Sequence, residues 1–387
     1  MSSHRAANAW FARFQAITGT AERLVKRLRP FLWLWPPIAF GAGVASFFLV
    51  ERQQWLGAAL ALAMLLAWVL LLTESLLSRV LARFGYPSPP RTVTTFIAQM
   101  IHQETLFFSL PFLLATTVWT SGQALFTVLI MAMAVLAILD PLYFRLAERH
   151  RWIYFAFHAQ CVFVVMLVVL PLMLHLTTGE SLRYALLVMV VFSLPSLLHL
   201  IRPRRVRSWL ALITLLGLLA TLGWVGRAWV PPATLWISGS ALSPGFDVEE
   251  RRPRGSLRLQ TDEVRRSGLY AYTAIHAPRG LRETVYHEWR YRGGLVDRVP
   301  LEIRGGRQQG YRAWSHKRNF PEDPSGDWRI DVMTASGQRI GMIRFEVNED
   351  ASESRMATGT ISPPAGLPGL DWPRLVPGNG ASEEGAS

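Results

Sequence analysis

Seven apolar stretches fill the first 230 residues of this 387-residue chain, and the basic residues between them fall almost entirely in alternate loops. A transmembrane helix needs about 20 residues to cross about 30 Å of hydrocarbon. The candidate spans are Phe31 to Val50, Trp55 to Thr73, Glu104 to Thr120, Gln123 to Asp140, Trp152 to Leu174, Tyr184 to Ile201 and Trp209 to Val230. The third is short and contains Pro111, but without both it and the fourth the charge alternation would break. Six Lys or Arg precede Phe31, three lie at Arg79, Arg83 and Arg91, three at Arg145, Arg149 and Arg151, and four between Arg202 and Arg207. The intervening loops hold only Arg52, Arg183 and Arg227. Cytoplasmic loops are the ones enriched in Lys and Arg, so this asymmetry predicts a cytoplasmic N-terminus and puts everything after Val230 across the membrane.

With 51% hydrophobic and 17% charged residues, the chain is too apolar for a soluble globule, which averages about 25% charged. The net charge of +13 comes largely from arginines beside the spans, where anionic lipid is the expected neighbour. The lipid bilayer is therefore a partner and nucleic acid is not. Cys161 is the only cysteine, which excludes an intrachain disulfide and a cysteine-based zinc site. Residues 1–30 read as a basic amphipathic cytoplasmic tail, with Trp10, Phe11, Phe14 and Leu24 set among arginines. The run lacks a cleavable signal pattern.

After Pro231 and Pro232 the period changes. Residues 231–268 read as a linker with a leading strand. Leu269 to His276, Thr284 to Tyr291, Leu295 to Arg304, Gly310 to Lys317, Asp327 to Thr334 and Gln338 to Val347 alternate as strands do. Val285, His287, Trp289 and Tyr291 share one face, and Gly293-Gly294 suits a tight turn. Ile340 and Ile343 are out of phase, so Gly341 marks a bulge. The expected fold is a membrane all-α bundle of about seven helices at 31–230, followed by an all-β immunoglobulin-like antiparallel sandwich at about 240–347 with its core at 269–347. Residues 348–387, rich in Gly, Pro, Ser and Glu, are expected to be disordered.

His287-Glu288-Trp289, the Gly293-Gly294 turn, Trp314-Ser315, Gly326-Asp327-Trp328 through Val332, and Phe345-Glu346-Val347 together resemble a bacterial domain family of unknown function. Its members carry the domain at the C-terminus of multi-helix membrane proteins. His102-Gln103-Glu104-Thr105-Leu106-Phe107-Phe108 with Leu110-Pro111-Phe112 resembles the membrane module that accompanies it. The resemblance implies a fold and a bacterial envelope setting, and no substrate, cofactor or catalytic residue.

Two groups of residues could carry chemistry. In the helices, Glu74, His102, Glu104, Asp140, His158 and His199 cluster toward the cytoplasmic side. Charge inside a membrane costs about 2.5 kcal/mol or more at the centre, so these groups either line a polar cavity or sit hydrated and hydrogen-bonded at the interface. In the sandwich, Tyr270, Tyr272, Tyr286, Arg290, Arg312 and Trp314 form a candidate binding surface, with core packing as the alternative. His276, His287 and His316 come from different strands, and His287 reads as a core histidine. No His-Glu-x-x-His, phosphate loop or nucleophile elbow occurs, so no metal, cofactor or catalytic residue is expected and the chain leans away from being an enzyme. The leading expectation is a bacterial inner-membrane protein whose periplasmic sandwich binds an envelope protein or glycan. A transporter or intramembrane enzyme built on His102, Glu104, Asp140 and His158 is the alternative. The sequence sets no oligomeric state.

Overall fold

The computed structural model describes residues 91–307, 309–349 and 355–362, with isolated helical positions at 37, 38, 41, 62 and 66. The basic tail, the first two expected spans and Glu74 lie outside the described residues, the isolated positions apart. The described chain is a helical region followed by an antiparallel β-sheet region.

The helices are α1 (Arg91–Thr116), α2 (Gln123–Ile138), α3 (Asp140–Arg149), α4 (Arg151–Leu174), α5 (Thr178–Ile201) and α6 (Val206–Val225), and α6 continues into a 3-10 turn at Gly226–Trp229. Three helical stretches are long and apolar enough to cross a membrane: α4, α5 and Val206–Trp229. A fourth qualifies only if α2 and α3, bent by 95° at their junction, count together. The expected seven is thus not what the described residues contain. The third expected span is part of α1, which begins 13 residues before Glu104 and carries Gln99, His102 and Gln103 in its middle. The fourth ends at Ile138, because Asp140-Pro141 breaks it: proline cannot donate to the preceding turn, and its ring suits the first turn of a new helix.

Helix α4 is the centre of the bundle, with 78% of its most apolar window buried, against 6% for the last span. It packs along α5 and against α1, while α6 touches α5. Helix α5 starts at a capping box: the Glu180 N–H donates to Thr177 Oγ1 at 3.3 Å and the Thr177 N–H donates to Glu180 Oε2 at 3.0 Å.

Eleven strands follow among the described residues. Strands β1 (Trp236–Ser243), β5 (Leu269–His276) and β8 (Tyr311–Lys317) form one sheet in the order β1-β5-β8. Strands β6 (Arg282–Tyr291), β7 (Gly294–Arg304), β9 (Gly326–Thr334) and β10 (Arg339–Val347) form the other, in the order β10-β9-β6-β7. Short pairs β2 (Gly245–Asp247) with β3 (Arg252–Arg254), and β4 (Leu257–Arg258) with β11 (Met356–Ala357), complete the region beside a helix α7 (Thr261–Ser267). Two buried clusters join the sheets face to face. One holds Leu269, Ala271, Trp289, Trp328, Ile330 and Phe345, the other Ile237, Ile275, Val285, Ile303, Val332 and Ile340. At about 25 cal/mol per Å² and about 200 Å² per indole, Trp289 and Trp328 each contribute at most roughly 5 kcal/mol of transfer free energy.

The β6–β7 turn is one residue earlier than Gly293-Gly294: Tyr291 pairs with Gly294, and Arg292 and Gly293 both have positive φ, 46° and 85°. Two positive values in a row make a type I′ turn, whose twist matches that of the strands. The expected bulge is present, with the β9–β10 register shifting between Arg339 and Gly341. The expected disorder after residue 348 does not hold at 355–362, where β11 pairs with β4 and the backbones of Ser362 and Ser240 exchange two 2.9 Å hydrogen bonds.

The β-sheet region docks on one end of the bundle. Gln123 Nε2 donates to the Arg339 carbonyl at 2.8 Å, Arg227 Nε to the Ser336 carbonyl at 2.8 Å, and Gln338 Nε2 to the Val230 carbonyl at 3.1 Å. The Thr178 N–H donates to Glu283 Oε2 at 2.7 Å. At this end the helix-to-helix loops carry few arginines, while α3 with the start of α4, and the α5–α6 loop, place Arg145, Arg149, Arg151, Arg202, Arg204, Arg205 and Arg207 at the other.

Candidate functional site

Gln99, His102 and Gln103 are spaced i, i+3 and i+4, so they share one face of α1. That face meets the break between α2 and α3. The break leaves the last carbonyls of α2 without helical partners. Both glutamines fill the gap, donating to the Ala137 carbonyl at 2.9 and 2.7 Å, and Gln99 Nε2 also reaches Asp140 Oδ1 at 2.7 Å.

Between the glutamines, His102 faces inward with 0% exposure. Its Nδ1 lies 2.6 Å from the Tyr143 hydroxyl on α3, and its Nε2 lies 3.0 Å from Nδ1 of His158 on α4. Tyr143 is the fully buried residue of α3, a short amphipathic helix that turns across the bundle at its arginine-rich end. His158 stands seven residues after Arg151, about 10 Å from that end at 1.5 Å per residue. The rings of Tyr143, Tyr154 and Phe157 pack around His102 at centroid distances of 5.1 to 5.9 Å.

Of the helical residues singled out from sequence, His102 and His158 are in direct contact and Asp140 joins through Gln99. Glu104 does not: two residues on from His102 is about 200° round the helix, and its side chain is only half-buried. His199 lies on an exposed face, its Nδ1 2.7 Å from the Pro195 carbonyl of its own helix. Sequence reading missed Gln99, Gln103 and Tyr143.

The β-sheet residues split between two surfaces. Tyr270, Tyr272, Arg312 and Trp314 lie on the outer face of the three-stranded sheet. Phe246 of β2 covers that face, stacking on Trp314 at 4.4 Å and Tyr270 at 5.8 Å. The expected aromatic platform is therefore packed under the chain's own hairpin. Tyr286 and Arg290 belong to the other sheet: Arg298 stacks over the Tyr286 ring at 3.9 Å, and Arg290 pairs with Glu288 and Asp331 at 2.8 and 3.1 Å.

His287 is fully buried with two partners, Thr273 Oγ1 and Ser315 Oγ, each at 2.9 Å, and Trp289 Nε1 donates to the same Ser315 oxygen at 3.1 Å. An indole can only donate, so the Ser315 oxygen accepts from it. Ser315 can then donate its own hydrogen to His287 Nδ1, leaving Nε2–H for Thr273. Burial pushes the His287 imidazole down to about 3, which keeps it neutral. His276 stacks on Trp236 at 3.9 Å and His316 on Tyr270 at 3.8 Å, so the three β-region histidines do not converge. Among the described residues no group of three His, Cys, Asp or Glu side chains is placed to hold a metal ion.

One family model, described as a family of unknown function (DUF5924), matches residues 14–271, and a second, a protein of unknown function (DUF2914), matches residues 282–347. The first match ends inside β5 and so includes β1 to β4 with the helices, and the second spans β6 to β10. No curated protein and no solved structure matches the chain. With a match over about two thirds of its length, the chain belongs to the DUF5924 family of unknown function.

Proposed function

We propose that this chain is a multi-pass protein of the bacterial inner membrane that moves protons through its helical bundle, with Tyr143, His102 and His158 as the proton-carrying chain. One observation carries the reading: two neutral-capable imidazoles and a phenol are hydrogen-bonded in series, at 2.6 and 3.0 Å, inside the bundle. Such a chain has two complementary patterns. In one, Tyr143 donates to His102 Nδ1, His102 Nε2–H donates to His158 Nδ1, and His158 holds its other hydrogen on Nε2. In the other, His158 Nδ1–H donates to His102 Nε2, and His102 Nδ1–H to the Tyr143 oxygen. Passing from the first to the second takes up one proton at Tyr143 and releases one from His158 Nε2, so charge and hydrogen balance. Helix α3 covers the chain from the arginine-rich, cytoplasmic end and acts as its lid.

The test is proton flux into vesicles containing the full chain, followed with an enclosed pH-sensitive dye. Tyr143→Phe keeps the ring and removes the hydroxyl; flux should fall ~100-fold or more, the lower end of the range for loss of a positioned acid–base group. Flux equal to that of protein-free vesicles in the unmodified protein, or unchanged in Tyr143→Phe, would sink the reading.

A second reading is favoured by a separate observation. The β-sheet region, immunoglobulin-like and periplasmic in this arrangement, binds an envelope component, and an open cavity of about 760 Å³ lies along its β1 and β10 edges.

A further inference from the structure

Arg290, Arg329 and Arg344 stand directly opposite one another on β6, β9 and β10, forming a row of three like charges across one sheet. Like charges at directly opposed positions destabilise a sheet. Asp331 compensates part of the row. Its carboxylate, 1% exposed, lies 3.1 Å from Arg290 Nε and 3.2 Å from Arg329 Nε, with Arg339 Nε at 3.4 Å. Arg344 is exposed and forms no ion pair among the described residues.

These three arginines line the 760 Å³ cavity, and Arg355 of the C-terminal stretch lines it with them. Asp327 and Glu346 also line it, leaving four arginines against two carboxylates. Ser240, Thr358, Thr360 and Ser362 add hydroxyl-bearing residues to the polar lining. Guanidinium groups pair with phosphate oxygens two at a time, and hydroxyls recognise their like on a polyol.

We propose that the cavity between β1 and β10 binds a soluble phosphomonoester of a sugar or polyol, its phosphate held by Arg329, Arg344 and Arg355. The proposal rests on the second reading above and names the chemistry of its ligand. A lipid headgroup carries the same phosphate, and the vesicle arm of the experiment below separates the two sources.

The experiment is calorimetric titration of the full chain in detergent with glycerol 3-phosphate, inorganic phosphate and maltose, alongside co-sedimentation with phosphatidylglycerol vesicles. Glycerol 3-phosphate should bind saturably and more tightly than inorganic phosphate. Arg344→Gln and Arg355→Gln, both exposed and expected to leave the melting temperature unchanged, should each weaken it at least ~10-fold, about 1.4 kcal/mol. Equal binding in either variant would overturn the proposal, as would association with anionic vesicles that Arg344→Gln and Arg355→Gln weaken, with no response to the soluble phosphates. Binding of maltose without any phosphate preference would also overturn it while leaving the second reading standing. Silence toward all three soluble probes would remove the proposal and the observation that favours that reading.

Discussion

The Glu283 carboxylate accepts the backbone N–H of Thr178 at 2.7 Å, joining a strand of the β-sheet region to the first residue of α5 across 105 positions of sequence. Burial pushes this carboxyl up to about 7, against the hydrogen bonds from Thr178 that pull it down. A carboxyl raised in the folded state is protonated there while already ionised in the unfolded chain. Its stabilising contribution is therefore complete below about pH 4.5 and lost as pH rises through about 7. The full loss is of order 3 kcal/mol. Glu283→Gln keeps an oxygen for Thr178 and cannot ionise. The difference in melting temperature between it and the unmodified protein should grow from pH 5 to about pH 7 in the variant's favour; a constant difference would refute the assignment.

The Ser315 hydroxyl serves both His287 and Trp289 inside the β-sheet core. Ser315→Ala strands two buried polar groups, at a cost of about 1–3 kcal/mol. The His287 imidazole is held down by burial to about 3, so the unfolded chain binds its proton first as pH falls. This contribution is present above about pH 6.5 and lost toward about 3. Thermal unfolding of the full chain followed by tryptophan fluorescence should show the Ser315→Ala loss at pH 7.5. No change there would mean that the network is not formed.

Strands β5 to β10 were legible because large apolar residues alternate along them. Strand β1, expected only as a leading strand within 231–268, could not be given bounds, since the register shift between Ile237 and Gly239 breaks its alternation: Ile237 faces inward before the shift and Leu242 after it, while Ala241 lies beside Tyr272 on the outer face. Parity also misjudged Asp331, which alternation puts on the outer face yet is 1% exposed, because three arginine stems fold over it.

In the helices, ranking ionisable groups by depth found the two contacting histidines and overvalued Glu104. It passed over Gln99, Gln103 and Tyr143, which carry no charge. The i, i+3, i+4 spacing of Gln99, His102 and Gln103 was the available signal. Span counting failed at α1 for the same reason: this polar face breaks its apolar run, and its partners at the Ala137 carbonyl and Tyr143 lie about 40 residues away in sequence.

The docking of the two regions can be locked covalently. A Cβ built at Gly179 would lie 3.2 Å from Cβ of Ser336, close to the roughly 3.5–4.5 Å spacing of a disulfide. Cys161, the single native cysteine, is fully buried and does not compete. Gly179→Cys with Ser336→Cys should therefore form one intramolecular bridge, read as the loss of two hydrogens in intact-mass spectra and of maleimide labelling. Because disulfides persist in the periplasm and are reduced in the cytosol, the bridge should already be present in protein harvested without oxidant. A bridge that appears only after oxidation of lysed cells would keep the docking and move this end of the bundle to the cytosolic side. Free thiols under both conditions would mean that the β9–β10 hairpin does not rest on α5.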